Sequence, residues 1–159
     1  FAQLDEVIQI CRLMWTEDEP SFQGEHYSID GASAPPLPEV VPPILIGASG
    51  EKVGLPLAGR LADIWNGSMR PDEAAWIRKR DIVWASAEAA GRNPADIEIN
   101  LTVERPLPES DDDSEVLVEK LARLAEIGVQ HFTMDFGNPQ STEPILRFVE
   151  QVITPLRGG

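Results

Sequence analysis

The sequence predicts an α/β fold in which four strand–helix units follow an opening helix and a long loop. Short apolar runs of strand length alternate with longer stretches that have the apolar spacing of amphipathic helices. Alternation of this kind indicates a parallel sheet with right-handed crossovers. The chain has 159 residues, of which 42% are hydrophobic and 25% charged, and this composition excludes a disordered, collagen-like or disulfide-rich chain.

The first part of the chain is predicted to form a helix and an insertion. Residues 1–15 have apolar side chains at helical spacing, including the single cysteine, Cys11, which we expect to pack as a small core residue. Residues 16–43 are rich in proline and turn-forming residues, with a short extended or hairpin segment predicted at 21–29. Loops of this length are usually functional or disordered.

Residues 44–159 are predicted to hold the four strand–helix units. The strands are short apolar or alternating runs, expected at 44–46, 62–66, 97–104 and 131–136. The helices are expected at 53–61, from Pro71 to Gly91, from a cap at Ser114 to Gly128, and after a cap at Ser141 or Thr142. The acidic residues 111–113 then form a solvated run before the cap, and the last helix has Leu146, Val149 and Ile153 inside.

Two architectures fit this order of elements. One is an open doubly wound sheet, and the other is part of a (β/α)8 barrel, for which four units are half the number. A helix that opens the chain with no strand before it favours a piece of a barrel.

The charge and the apolar pattern limit the partners. Thirteen Lys and Arg stand against 27 Asp and Glu, for a formal charge of -14, so we expect neither a nucleic-acid partner nor an anionic membrane surface. No apolar run is long enough to span a membrane, and no signal peptide is recognisable, although the absence of an initiator Met suggests that residues precede Phe1. With a single cysteine and no internal disulfide, we expect a cytoplasmic protein.

The first candidate site is the turn Gly47-Ala48-Ser49-Gly50, which follows a predicted buried strand and leads into a helix. Its two glycines would let backbone N–H groups approach an anion, and the helix N-terminus adds a favourable dipole. The turn could therefore hold a phosphate without a basic residue. A plain tight turn is the alternative, and the spacing matches neither a Walker loop nor a Rossmann fingerprint.

The second candidate site is Asn66-Gly67-Ser68, at the C-terminal end of the next predicted strand, where parallel α/β folds bind ligands. Asn66 and Ser68 offer hydrogen bonds. Trp65 offers a stacking face or, alternatively, packs in the core. The next basic residue after this segment is Arg70.

The remaining candidates are isolated residues. Glu104, at the end of the polar face of the third predicted strand, is the best guess for a substrate pocket, and His26 in the insertion is a second candidate for that pocket. His131 is expected to be structural. No group of His, Cys and carboxylates has ligand spacing, so no metal site is predicted.

Four segments of the chain resemble one known family. They are Glu6 to Trp15, the run Ser-Phe-Gln-Gly-Glu-His-Tyr at 21–27, the run Pro-Pro-Ile-Leu-Ile-Gly-Ala-Ser-Gly-Glu-Lys at 42–52, and Ala58 to Asn66. Their order and spacing are similar to those of the luciferase-like monooxygenase family, and more narrowly to its deazaflavin-dependent (coenzyme F-420) oxidoreductases. The resemblance extends over essentially the whole chain and is strongest over residues 4–68.

The resemblance implies a (β/α)8 barrel that binds coenzyme F-420 or FMN at the C-terminal ends of its strands and transfers hydride to or from a small organic substrate. The chain would be the C-terminal half, a single partial barrel domain over residues 1–159 with strands five to eight. Gly47 to Gly50 would match the phosphate-side turn, and residues 66–68 the turn after strand six. Catalytic residues are then expected upstream of Phe1.

Two other functions remain open. The chain could be a non-catalytic half-barrel that serves as a binding or assembly module, or part of a flavin-free barrel enzyme that acts on a phosphorylated substrate. A half-barrel leaves open sheet edges and one face without its interior packing, so we expect pairing with the missing N-terminal half or with a second copy of the chain. Without such pairing, some of the apolar strand residues are expected to meet water. They are among Ile44, Ile46, Ile64, Leu101, Val103, Phe132 and Met134.

Overall fold

The computed structural model describes residues 1–69, 72–104 and 107–157, with all their side chains except that of Glu104. The helices are α1 (Ala2–Thr16), α2 (Gly54–Leu61), α3 (Glu73–Ala89), α4 (Asp111–Glu126), α5 (Glu143–Phe148) and α6 (Thr154–Arg157), with a short 3-10 helix at Pro94–Asp96 and a π-helical turn at Val149–Ile153. The strands are β1 (Phe22–Gln23), β2 (Ser28–Ile29), β3 (Leu45–Gly47), β4 (Ile64–Ser68), β5 (Glu98–Glu104) and β6 (His131–Asp135). The helix start predicted at Pro71 lies outside the described residues.

The strands form a small hairpin and a larger sheet. β1 and β2 pair antiparallel within the insertion, so of the two forms expected for residues 21–29 the hairpin is correct. The other strands follow the order β3-β4-β5-β6, and the pairs β3–β4 and β5–β6 are parallel. A parallel pair needs a crossover connection, and the helices between the strands supply it. The predicted α/β class with a parallel sheet is therefore confirmed.

The chain divides into two compact units. The first consists of residues 1–66 and 78–98, and the second begins with residues 67–77 and continues from residue 99. The assignment of residues 1–159 to one partial barrel domain remains a prediction.

The core of the first unit depends on a close contact between α2 and α3. Leu55 and Ala58 of α2 and Val83 and Ala87 of α3 are completely buried. Gly59 lies at the contact, where a Cβ atom would collide with the carbonyl oxygen of Val83 and stand 2.7 Å from the Cβ of Ser86. Only glycine allows the two helices to approach this closely.

Asp63 joins α1 to the starts of β3 and β4. The Arg12 guanidinium donates to both carboxylate oxygens of Asp63, at 2.9 and 3.0 Å, and the backbone N–H of Ile44 donates at 2.8 Å. Arg12 also donates to the carbonyl oxygen of Leu61. These contacts lie at the N-terminal ends of the strands, where barrel proteins keep residues that stabilise the fold.

In the second unit, β5 and α4 each bury an apolar face. Ile99, Leu101 and Val103 alternate along β5 and are at most 5% exposed, and Leu117 and Leu121 are the matching buried residues of α4. Period-two and helical spacing both predict this arrangement.

No helix in the described part of the chain combines the length and the apolar character needed to cross a membrane.

The cap predicted for α4 is wrong. Ser110, not Ser114, begins the helix: its side chain accepts from the Asp113 N–H at 3.2 Å, and the Asp113 carboxylate accepts from the Ser110 N–H at 3.1 Å. This reciprocal capping box places the acidic residues 111–113 in the first helical turn, where the helix dipole favours them, rather than before the helix. Ser114 is buried instead and donates to Gln151 Oε1 at 2.8 Å.

One further expectation about packing is wrong. Leu146 and Val149 are 58% and 46% exposed, because the last helix is interrupted by the π-helical turn, and Phe148 and Val152 are buried in their place. Of the apolar strand residues expected to include those that meet water, Ile46, Leu101 and Val103 are at most 8% exposed, whereas Ile44, Ile64, Phe132 and Met134 are half-buried. Alternation along the strands points them away from the polar side chains of the opposite face.

Candidate functional site

The Gly47–Gly50 turn lies at the carboxyl end of β3, beside β4. In the parallel register Gly47 is opposite Asn66, and the Ala48 N–H donates to the carbonyl oxygen of Asn66 at 3.4 Å. The structure therefore brings the first candidate turn and Asn66 together. Residues 66–68 belong to β4 itself rather than to the turn after it, because Asp63 is held at the strand start and the strand runs on to Ser68.

The two glycines of this turn leave open space above the backbone. A Cβ atom built on Gly47 or on Gly50 would meet no other atom within 4 Å. Neither glycine has a positive φ, so the backbone conformation does not require glycine at these positions. The space is available to a ligand that approaches the main chain.

Two backbone donors of the turn are without a hydrogen-bond partner among the described residues. They are the N–H groups of Ser49 and Gly50, and both residues are exposed. The carbonyl oxygen of Gly50 accepts from the Leu55 N–H at 3.0 Å, which ties the turn to the start of α2. The N-cap residue of α2 is Val53, whose side chain makes no capping hydrogen bond. An anion is the kind of ligand that free donors at a helix N-terminus favour.

Trp65 supports the turn from the core. Its indole N–H donates to the carbonyl oxygen of Ala48 at 3.0 Å, and its side chain is fully buried. Of the two roles left open for Trp65, packing in the core is correct, and no stacking face is exposed.

Gly67 and Ser68 belong to the second unit. Gly67 is buried, and Ser68 lines a cleft of about 170 Å³ that also reaches Thr102 of β5 and Lys120 of α4. The role of Gly67 and Ser68 in cofactor binding remains a prediction. Arg70, the first basic residue after them, lies outside the described residues.

A polar face runs along β5 and β6. The Thr133 hydroxyl donates to the Asn100 side-chain oxygen at 3.2 Å, and the exposed residues of β6 are His131, Thr133 and Asp135. Asp135 is opposite Glu104 in the register, at the carboxyl ends of the two strands. Sequence reasoning singled out Glu104 but missed Asp135, although both are acidic residues at or near the end of a predicted strand. The side chain of Glu104 is not described, and its substrate role remains a prediction.

His26 lies at the tip of the β1–β2 hairpin, and its side chain is exposed. The backbone N–H groups of Glu25, His26 and Tyr27 all donate to the carboxylate of Glu6 on α1, at 2.8 to 3.2 Å. Burial raises the pKa of Glu6, but the hydrogen bonds from Tyr27, His26 and Glu25 outweigh it and hold the pKa below its usual value of 4.5. A substrate role of His26 remains a prediction.

Glu6 is the residue that sequence reasoning missed most clearly. It is a charged residue in the first predicted helix, yet it is only 9% exposed, whereas the apolar residues Leu4 and Val7 are 42% and 40% exposed. The insertion folds back onto this side of α1, and helical periodicity alone contains no information about that contact. Among the described residues, no group of three or more His, Cys, Asp or Glu side chains is placed to hold a metal ion.

Comparisons with known proteins identify the family. The family model described as luciferase-like monooxygenase matches residues 1–149. The F420-dependent glucose-6-phosphate dehydrogenase of Mycolicibacterium gilvum is 35% identical over 99 residues, which are 62% of this chain and 29% of that protein. An uncharacterized protein of Mycobacterium tuberculosis is 31% identical over 159 residues, which are 98% of this chain and 50% of that protein.

The solved structures agree on the fold. An F420-dependent secondary alcohol dehydrogenase in complex with an F420-acetone adduct superimposes with a TM-score of 0.74 at 18% identity, over 93% of this chain and 59% of that one. The chain thus spans half or less of the two relatives and about three fifths of this structure. Its fold is part of the barrel of luciferase-like enzymes. The chain belongs to the luciferase-like monooxygenase family.

Proposed function

We propose that the chain is the C-terminal part of a deazaflavin-dependent oxidoreductase that transfers hydride between its cofactor and a small organic substrate. The observation that carries this proposal is the open Gly47–Gly50 turn at the carboxyl edge of the sheet. The family supports a general oxidoreductase role, and two of the compared proteins are F420-dependent by name. FMN is the alternative cofactor, because the family resemblance extends to flavin enzymes.

The turn fits the phosphate side of such a cofactor by its shape and its donors. The open space over Gly47 and Gly50 lets a phosphate reach the main chain, and the Ser49 and Gly50 N–H groups can donate to it. The start of α2 adds a favourable dipole. Positive charge contributes less, since the nearest basic residue along the chain is Lys52, whose side chain is exposed.

The residues of this chain position the cofactor rather than perform the chemistry. A bound deazaflavin or flavin supplies the ring that accepts or gives hydride. The Gly47–Gly50 turn and Asn66 would hold the phosphate side, and Trp65 keeps the backbone of the turn in place. We assign Gly67 and Ser68 to the same cofactor and Glu104 and His26 to the substrate pocket as part of the proposal.

The test is a size series at Gly47 in the full-length protein. Gly47→Ala and Gly47→Val add one and three carbon atoms where the chain itself has room, so both variants should fold normally. Cofactor affinity should fall with size, by about tenfold for Val, the equivalent of one hydrogen bond to a charged group. Ala85→Val, on an exposed position of α3, is the matched control and should leave the affinity unchanged.

The outcome separates the alternatives. Equal cofactor affinities for the wild type and both Gly47 variants would reject the turn as the phosphate site. Mass spectrometry of the cofactor released from the purified protein distinguishes deazaflavin from FMN. A protein that binds neither, but binds a phosphorylated substrate, would favour the flavin-free barrel enzyme.

We also propose that the sheet of this chain is completed by N-terminal barrel strands. Leu45 of β3 is 51% exposed, and on β6 His131, Thr133 and Asp135 are exposed. Faces of parallel strands are normally covered on both sides. The relatives, whose lengths are about twice that of this chain or more, support strands of the same protein as the cover, with a second copy of the chain as the alternative.

A further inference from the structure

The carboxylate of Glu6 has no part in the proposed cofactor site, yet it is the hydrogen-bonding centre of the insertion. Both of its oxygens are used: Oε1 accepts from Glu25 at 2.8 Å and from His26 at 3.2 Å, and Oε2 accepts from His26 at 3.0 Å and from Tyr27 at 2.8 Å. Three consecutive backbone N–H groups that converge on one anion form a nest. In this chain the anion is part of the protein.

We infer that Glu6 is a positioning residue whose negative charge holds the β1–β2 hairpin on α1, so that a small carboxylate from solution can replace it when its side chain is removed. The part of this inference that concerns the substrate rests on the proposed function, because it assumes that His26 belongs to the substrate pocket.

The hairpin has little else to hold its tip in place. Each of its strands has two residues, and an isolated two-stranded hairpin is at best marginally stable. Within the tip, the Gly24 N–H donates to the carbonyl oxygen of Tyr27 at 2.9 Å, and the Gln23 side chain donates to the carbonyl oxygen of Gly24 at 3.4 Å, but these bonds do not attach the tip to α1. At the base of the hairpin, Gly31 donates to the Ser21 hydroxyl and Ala32 to the carbonyl oxygen of Pro20. At the tip the main chain lies so close to the carboxylate that a Cβ atom on Gly24 would collide with it. The tip is therefore shaped around the anion.

The charged groups around the carboxylate are few. On the hairpin, the titratable residues are Glu25, His26 and Tyr27, and a charged His26 stabilises the anion. On α1, the neighbouring Asp5 is engaged elsewhere, since it accepts from Arg60 at 2.6 Å and from Gln9 at 2.6 Å. No Arg or Lys donates to the Glu6 carboxylate among the described hydrogen bonds, so backbone donors supply the direct contacts.

The experiment measures amide hydrogen exchange in the full-length protein, for the wild type, Glu6→Ala, Glu6→Gln and Glu25→Gln. Loss of the carboxylate should speed exchange at Glu25, His26 and Tyr27 by roughly tenfold or more, while amides of β3 and β4 stay protected. Glu25→Gln removes the charge of a side chain within the nest but keeps both its backbone N–H and the Glu6 acceptor, so it should match the wild type. Glu6→Gln keeps the side-chain volume and replaces Glu6→Ala as the test variant if Glu6→Ala does not fold.

Rescue identifies the role of the charge. Sodium formate or acetate should slow exchange at the hairpin tip of Glu6→Ala, whereas sodium chloride at the same ionic strength should not. Unchanged exchange in both Glu6 variants, or equal effects of formate and chloride, would overturn the inference. Steady-state kinetics test the part of the inference that concerns the substrate: Glu6→Gln should raise KM more than it lowers kcat. If the wild type shows no oxidoreductase activity, the proposed function fails while the exchange data still decide the role of Glu6.

Discussion

The indole N–H of Trp65 donates a 3.0 Å hydrogen bond to the carbonyl oxygen of Ala48, 17 residues earlier in the chain. This bond connects the buried core of the first unit to the backbone of the Gly47–Gly50 turn. The ring is fully buried, whereas the glycines on either side of Ala48 have open space above them. One side of the turn is thus rigidly supported, and the other side remains accessible.

Trp65→Phe should weaken both stability and cofactor binding. The change removes the indole N–H and part of a buried ring, so the free energy of unfolding should fall by about 1–3 kcal/mol. Cofactor affinity should fall as well, because the Ala48 carbonyl loses its donor and the turn becomes less well positioned. Chemical denaturation and cofactor titration measure the two effects. Trp76→Phe, at an equally buried site in the second unit, is the control and should affect stability alone; equal losses of cofactor affinity in the two variants would contradict the role of Trp65.

Gly59→Ala and Gly50→Ala should differ sharply in stability. An added Cβ on Gly59 collides with the backbone of Val83, and overpacking of this kind costs about 1–3 kcal/mol or more. The same atom on Gly50 enters open space, and a surface change there should alter stability by about 0.5 kcal/mol or less. Urea denaturation of both variants gives the comparison. A Gly59→Ala protein as stable as Gly50→Ala would mean that α2 and α3 separate easily.

The isolated 159-residue chain should self-associate or bind a hydrophobic dye. Its β3 edge carries the exposed Leu45, and an exposed parallel edge invites pairing. The exposed side chains of β6 are the polar residues His131, Thr133 and Asp135. Self-association through this strand should therefore be weaker than the sequence suggested. Sedimentation equilibrium and dye binding test the expectation. A monomer that unfolds cooperatively and binds no dye would show that the sheet needs no covering strands.

The stabilising effect of Glu6 should depend on pH in a defined direction. Burial raises the pKa of Glu6, but the hydrogen bonds from Tyr27, His26 and Glu25 lower it below 4.5 in the folded chain. A group with a lowered folded-state pKa stabilises the fold above its unfolded-state pKa, and this contribution is lost as the pH falls through the folded-state value. The difference in unfolding free energy between the wild type and Glu6→Gln should therefore be constant at neutral pH and shrink below about pH 4.5. A difference that grows in acid would contradict the hydrogen-bonded anion.

The pattern of the sequence predicted the elements because local spacing encodes them. The alternation of Ile99, Leu101 and Val103 indicated a strand, and the structure buries all three. Small residues from Gly47 to Gly50 between a strand and a helix indicated a turn at the carboxyl edge of a parallel sheet. The family resemblance rested on motifs of the same local kind, and it is confirmed.

Choices between equivalent residues depended on distant partners. Ser110 and Ser114 flank the same acidic run, and either could cap a helix from its sequence context. Ser110 caps α4, because Ser114 is on the buried side of the helix and finds Gln151, 37 residues away. In the same way, Trp65 could stack on a ligand or fill the core from its sequence context. It fills the core, where its indole N–H donates to the carbonyl oxygen of Ala48.

The sequence by itself determined the α/β order, the four strand–helix units and the small-residue turn after β3, since these follow from periodicity and from the steric properties of glycine and proline over short spans. Only the tertiary structure decided that Glu6 is buried and Leu4 exposed, because burial depends on which segment covers a helix face. The insertion supplies that cover, and its three backbone N–H groups replace the water that a carboxylate requires. Backbone donors are common to all residues except proline, so no pattern of side chains could have indicated this contact.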